Sequence, residues 1–131
     1  MTFTQAVSEC LSKYAGFSGR AMRSEFWWFF VFNVLVSLVA SIVDTGFFGS
    51  HTIRVGYGTG PDQGPVGTLS TILLFLPNLA VGARRLHDIG RTGWWLLIGV
   101  VPCLGLLVLL VFFCTQGERG TNRYGEPPYA P

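Results

Sequence analysis

The stretch Ala83–Trp95, "ARRLHDIGRTGWW", gathers the residues most capable of chemistry: three arginines, an adjacent histidine and aspartate, and a tryptophan pair. A histidine near neutral pH can move a proton, and a guanidinium fork suits carboxylate or phosphate. His87 and Asp88 are neighbours on a predicted helix, so their side chains point about 100° apart. A metal phosphohydrolase built on such a pair needs further His and Asp ligands. The other histidine, His51, lies in a different segment, and Cys10, Cys103 and Cys114 show no CxxC spacing and read as small apolar fillers. No nucleophile accompanies His87. The residues therefore predict no metal site, no cofactor and no catalytic group, and the chain is not read as an enzyme.

Two uses remain for this polar segment. Arg84 and Asp88 stand at i,i+4 and Arg85 and Asp88 at i,i+3, which predicts an ion-paired helix end. The sharper expectation is a site for anionic lipid headgroups, with Arg84, Arg85, His87 and Arg91 as donors, joined from an earlier segment by Arg20 and Arg23. Glu25 is expected to pair with an arginine across the two loops.

The elements that must position these residues are set by hydropathy. The chain has 131 residues, 12% of them charged, and a mean hydropathy of +0.46. Soluble domains carry about 25% charged residues. The deficit is concentrated in 26–43 and 94–114, which hold no charge at all. Such runs predict membrane spans. Net charge is only +2, without a basic run, so nucleic acid is not an expected partner.

The expected fold is an all-α membrane protein with three transmembrane helices and an N-terminal amphipathic surface helix. Residues 1–16 supply that helix: Phe3, Ala6, Val7, Cys10, Leu11 and Tyr14 share one face, and Thr4 is placed to cap it. It lies on the membrane or packs against the bundle. The spans are 26–43, 68–83 and 94–114; the first, with charges scattered ahead of it, reads as an uncleaved anchor. The second contains Pro77 and is expected to continue through "RRLHD". Residues 44–67 form a Gly/Pro-rich external loop and 115–131 a polar tail. Trp27, Trp28, Trp94 and Trp95 are the expected interfacial anchors. Asn33, Ser37 and Ser41 recur every four residues, with Asp44 next, forming a polar packing stripe for which Asn78 is a candidate partner. Three crossings put six basic residues with the N-terminus and three on the other side, favouring a cytoplasmic N-terminus. A hairpin hinged at "VPCLG" would return the tail to the cytoplasm, but the length of the last run favours one crossing.

Three motifs carry a family resemblance: "FSGRAMRSEFWWF" before the first span, "RRLHDIGRTGWW" between the second and third, and "GTNRYGEPP" in the tail. In this order they resemble the bacterial domain-of-unknown-function 805 family of small inner-membrane proteins. Met22 stands where a second basic residue is common, and "GEPP" replaces a Gly-Pro-Asp-Pro ending. The resemblance implies a multi-span bacterial inner-membrane protein and leaves its activity open. The expected role is accessory or structural, through anionic lipid, a membrane-protein partner or self-association. The alternatives are a subunit of an oligomeric small-solute transporter or channel, and a lipid-headgroup enzyme.

Overall fold

A computed structural model describes residues 2–49 and 64–128. In order, its elements are α1 (Phe3–Ser12), α2 (Arg23–Phe47), α3 (Pro65–Asp88), a 3-10 helix (Gly93–Val100) and α4 (Leu104–Cys114). The described residues are thus helical, apart from turns and one isolated bridge between Asn122 and Gly125. His51 and Arg54, in the expected external loop, lie outside them.

Helix α1 begins with Thr2, not Thr4. The Gln5 N–H donates to Thr2 Oγ1 at 3.3 Å, and the Thr2 N–H donates to Gln5 Oε1 at 3.0 Å. This reciprocal box satisfies two donors that a helix start leaves open. The helix packs on the bundle: Ala6 and Cys10 are fully buried, and Phe3 meets Trp28 edge-on at 5.8 Å.

Helices α2 and α3 have 25 and 24 residues. At ~1.5 Å per residue either exceeds a hydrocarbon core of ~30 Å. They run antiparallel and are zipped at three levels. Arg84 meets Glu25 at one end, Asn78 meets Asn33 midway, and Asp44 meets Val66 and Gly67 at the other end. Apolar side chains such as Val39, Ile42, Leu69, Ile72 and Phe75 point outward, while Glu25, Asn33, Asp44 and Arg84 are buried. This inverts the distribution of a soluble protein and suits a hydrocarbon surround.

Pro77 sits inside α3 without kinking it apart. Proline has no N–H, so the carbonyl four residues earlier, that of Leu73, loses its helical donor. The Tyr14 hydroxyl donates to the Leu73 carbonyl oxygen instead. Thus a residue just beyond α1 supplies what the proline removes.

The last apolar run departs from expectation. Residues 94–114 are not one helix: the chain reverses at Val101–Cys103, and Cys103 adopts φ +62°. The two legs then lie side by side. A Cβ on Gly105 would stand 1.8 Å from the Ile98 carbonyl oxygen, Gly99 faces Leu109, and Trp95 meets Phe112 at 5.6 Å. The legs match in reach: the 3-10 helix has 8 residues and α4 has 11, each about 16 Å long at rises of ~2.0 and ~1.5 Å. That is roughly half a hydrocarbon core. Turn donors are satisfied locally, with Val101 N–H on Ile98 O at 3.0 Å and Gly105 N–H on Val101 O at 3.2 Å. Pro102 has no donor to satisfy. The physical reason for the departure is the Pro102–Cys103–Gly105 sequence, which interrupts one helix and permits close return of the next.

Candidate functional site

Both ends of the hairpin return to the end of the bundle where α2 starts and α3 finishes. There α3 leaves its last carbonyls without helical donors. The Ile89–Arg91 turn serves Leu86 and His87, and distant segments add further donors. The Ala21 N–H donates to Arg84 O at 3.0 Å, the Asn122 side chain to His87 O at 2.9 Å, and the Glu118 N–H to Asp88 O at 2.8 Å. The tail is therefore docked, with Asn122–Gly125 forming a turn closed by its two backbone hydrogen bonds.

Around these contacts lies a buried charge cluster. Arg20 donates through Nε to Asp88 Oδ1 at 2.9 Å, and its Nη2 stands 2.8 Å from the same oxygen. Arg85 Nη1 donates to Asp88 Oδ2 at 2.7 Å. Arg84 Nη1 donates to Glu25 Oε1 at 2.6 Å. All five side chains are buried, Arg84 and Arg85 to 0% exposure. Three guanidiniums face two carboxylates, and main-chain oxygens compensate the excess. Arg20 donates to the carbonyls of Glu118 and Gly120, and Arg85 to those of Phe113 and Thr115. The carbonyl end of α3 adds further negative potential. The Arg84 pair is less well served, because its Nε and Nη2 are buried without an acceptor among the described residues.

The residues of the expected headgroup site divide into buried and exposed sets. Arg20, Arg84 and Arg85 point inward; the donors of Arg20 and Arg85 meet carboxylates and carbonyls once α2, α3 and the tail come together, whereas Arg84 is held through Nη1 alone. Glu25 pairs with Arg84, as the sequence suggested. Arg23 and Arg91 are exposed. Arg91 lies over the rings of Trp95 and Phe112, 4.9 and 4.7 Å from their centroids. His87 is mostly covered, stacked on Tyr124 at 3.9 Å. Trp27, Trp28, Trp94 and Trp95 all lie within two turns of this end; Trp94 is 78% exposed and Trp27 is half-buried.

The polar stripe of α2 faces α3. Asn78 Nδ2 donates to Asn33 Oδ1 at 2.9 Å, and Asn33 Nδ2 to the Phe29 carbonyl at 2.7 Å. Ser37 and Ser41 are half-buried on the same face. Asp44 has a role the sequence reading missed. Its carboxylate accepts the Val66 and Gly67 N–H groups at 3.0 and 2.8 Å, capping α3 where Gly64 has no side chain to do so. The three-residue step from Ser41 put Asp44 on the inner face, but nothing local linked it to a helix start twenty residues on. Among the described residues, no three His, Cys, Asp or Glu side chains gather as metal ligands.

The arginine cluster and docked tail are built from the three motifs at 17–29, 84–95 and 120–128, and comparison with known sequences follows the same residues. The family model described as "Protein of unknown function (DUF805)" matches residues 14–126. The chain belongs to the DUF805 family. Two relatives from Escherichia coli (strain K12) are similar along most of its length. Inner membrane protein YhaI is 42% identical over 118 residues, covering 90% of each chain. Inner membrane protein YhaH is 38% identical over 118 residues, covering 90% of this chain and 91% of the relative. No solved structure matches. Within the family, α1 begins outside the matched residues, whereas Tyr14 and everything it helps to brace lie inside them.

Proposed function

We propose that this DUF805 protein is a structural or accessory component of the bacterial inner membrane that holds anionic lipid at the cytoplasmic leaflet. In this reading α2 and α3 cross the bilayer, the 94–114 hairpin enters it halfway and returns, and both described ends stay on the cytoplasmic side. The inner-membrane assignment follows the names of the E. coli relatives. The observation that carries the rest is the return of the hairpin to the Asp88 cluster. It brings Arg119 and Arg123 to the end that carries Lys13, Arg20, Arg23, Arg84, Arg85 and Arg91, so that eight of the nine basic residues gather there. Such an asymmetry favours the basic end in the cytoplasm. It exceeds the six-to-three split of a three-span arrangement.

The buried arginines hold the end together, and the exposed ones meet lipid. Lys13, Arg23, Arg91, Arg119 and Arg123 are exposed around the cluster. Each exposed basic residue near an anionic surface contributes about 1 kcal/mol of attraction. Single cysteines at 18, 92 and 121 should all react with a thiol reagent from the cytoplasmic side only. Replacing Arg23, Arg91, Arg119 and Arg123 together by Gln should strip anionic lipid from the protein in native mass spectrometry, with helicity retained. Position 121 reacting from the opposite side, or unchanged lipid adducts, would refute the reading.

A further inference from the structure

His87 is held in one orientation from several directions. Its Nδ1 lies 3.0 Å from the Gly19 carbonyl oxygen. A carbonyl only accepts, so Nδ1 carries the hydrogen, and the neutral ring then has its lone pair at Nε2. Tyr124 stacks on the ring with planes 3° apart. Tyr124 is itself fixed, since its N–H donates to Asn122 Oδ1 at 2.9 Å while Asn122 Nδ2 donates to the His87 carbonyl. His87 is 9% exposed, and Nε2 makes no hydrogen bond to a described residue.

Nε2 opens onto a groove between α3 and the 3-10 helix. The position a Cβ would take on Gly93 is 3.8 Å from Nε2, and the missing side chain leaves the approach free. The groove has a volume of about 410 Å³ and is otherwise walled by Phe17, Leu79, Ala83, Trp94, Leu96 and Leu97. That volume falls within the ~300–1,000 Å³ of small-molecule sites, which combine apolar walls with a few placed polar groups.

We infer that this groove binds a single-chain amphiphile with a hydroxyl head, the hydroxyl donating to His87 Nε2 and the chain lying along the apolar wall. An acceptor that opens onto an apolar groove is unfavourable without a donor, and an alkane cannot supply one. A carboxylate or phosphate head would set its charge against the Nε2 lone pair. A hydroxyl satisfies the acceptor and brings no charge into the groove. Long-chain alcohols and monoacylglycerols share this chemistry. The inference rests on the membrane reading of the helices, but not on lipid contact by the exposed arginines.

The test uses full-length protein in phosphatidylcholine nanodiscs, with a photoreactive twelve-carbon alcohol and its methyl ether as probes. The alcohol should label the Leu79–Leu97 region about tenfold more strongly than the ether, the effect of one ordinary hydrogen bond. Competition by monododecanoylglycerol identifies a glycerolipid source, and competition by dodecanol alone a free alcohol; either supports the site. Leu97→Trp, at a groove residue facing outward, should abolish labelling while leaving unfolding unchanged. Independently, ¹⁵N-histidine spectra of the His51→Gln protein should show the His87 Nε2 resonance move with alcohol and stay still with ether. Equal labelling by the two probes, or an Nε2 resonance indifferent to the alcohol, overturns the proposal. Neither result bears on the Arg→Gln lipid-retention experiment, so the two readings can fail separately.

Discussion

Asp88→Asn is the most informative single change. The native carboxylate accepts from Arg20 Nε at 2.9 Å and Arg85 Nη1 at 2.7 Å, and lies 2.8 Å from Arg20 Nη2. Its side chain is 1% exposed, so no water can replace it without rearrangement. Asparagine keeps the shape but offers one acceptor oxygen and one NH₂. Turned toward Arg20, the oxygen leaves NH₂ facing the Arg85 donor, and the reverse orientation exposes Arg20 to the same conflict. Breaking a buried ion pair costs about 3–5 kcal/mol, roughly two to three and a half decades in the folded-to-unfolded ratio. Tail carbonyls still bind both guanidiniums, which keeps the loss from growing further with the second cation. Reversible unfolding in mixed micelles with increasing sodium dodecyl sulfate, followed by circular dichroism, reads the loss directly. Adding Arg85→Met to Asp88→Asn removes the uncompensated cation and should recover part of it. A loss below about 1 kcal/mol, the range of exposed ion pairs, or a double variant no better than the single one, would refute the buried-hub reasoning.

Tyr14→Phe should cost about 1–3 kcal/mol in the same assay, because it strands the Leu73 carbonyl; in a Pro77→Ala background, where the helix regains its own donor, the cost should largely vanish. Gly117→Ala places a Cβ 1.9 Å from Asp88 Oδ2 and should free the tail, seen as faster proteolysis after Cys114 with α2 and α3 intact. Gly105→Val should splay the hairpin, because the Ile98 carbonyl already stands 1.8 Å from the Cβ position; a disulfide engineered between positions 95 and 112 should then fail to form. Burial, and after it the Glu25 carboxylate, push the Cys10 thiol from 9.0 up to about 12. The unfolded chain loses that proton first, so stability should fall as pH rises from 9.0 toward about 12, and Cys10→Ala should be less sensitive across that window. An identical pH profile in the Cys10→Ala protein would show that the thiol is not responsible.

The two long helices were legible because hydropathy and period report directly on what a helix buries. Glu25 and Arg84 could be paired because opposite charges flanking adjacent spans have few other partners. The fold of 94–114 was not legible from the same signal. Twenty-one uncharged residues sum to the same hydropathy whether they cross once or return. The decision lies in Pro102, a left-handed Cys103 and the close approach at Gly105, each unremarkable alone. Arginine direction was obscured for a related reason. Arg20 and Arg85 converge on one carboxylate from sequence positions 68 and 3 residues away, and the carbonyls that complete their coordination carry no sequence signature. Asp44 was similarly hidden, since its use depends on where a helix begins across a long connection.

The docking of Arg20 also says something about synthesis. Its guanidinium is completed by carbonyls 98 to 105 residues downstream. A nascent chain leaving the ribosome holds this cation long before its acceptors, so the closed end cannot form until residues 118–125 have emerged. Truncation before residue 118 would therefore release a polypeptide whose two long helices are complete yet whose arginine-bearing end stays open, a ready mark for quality-control proteolysis.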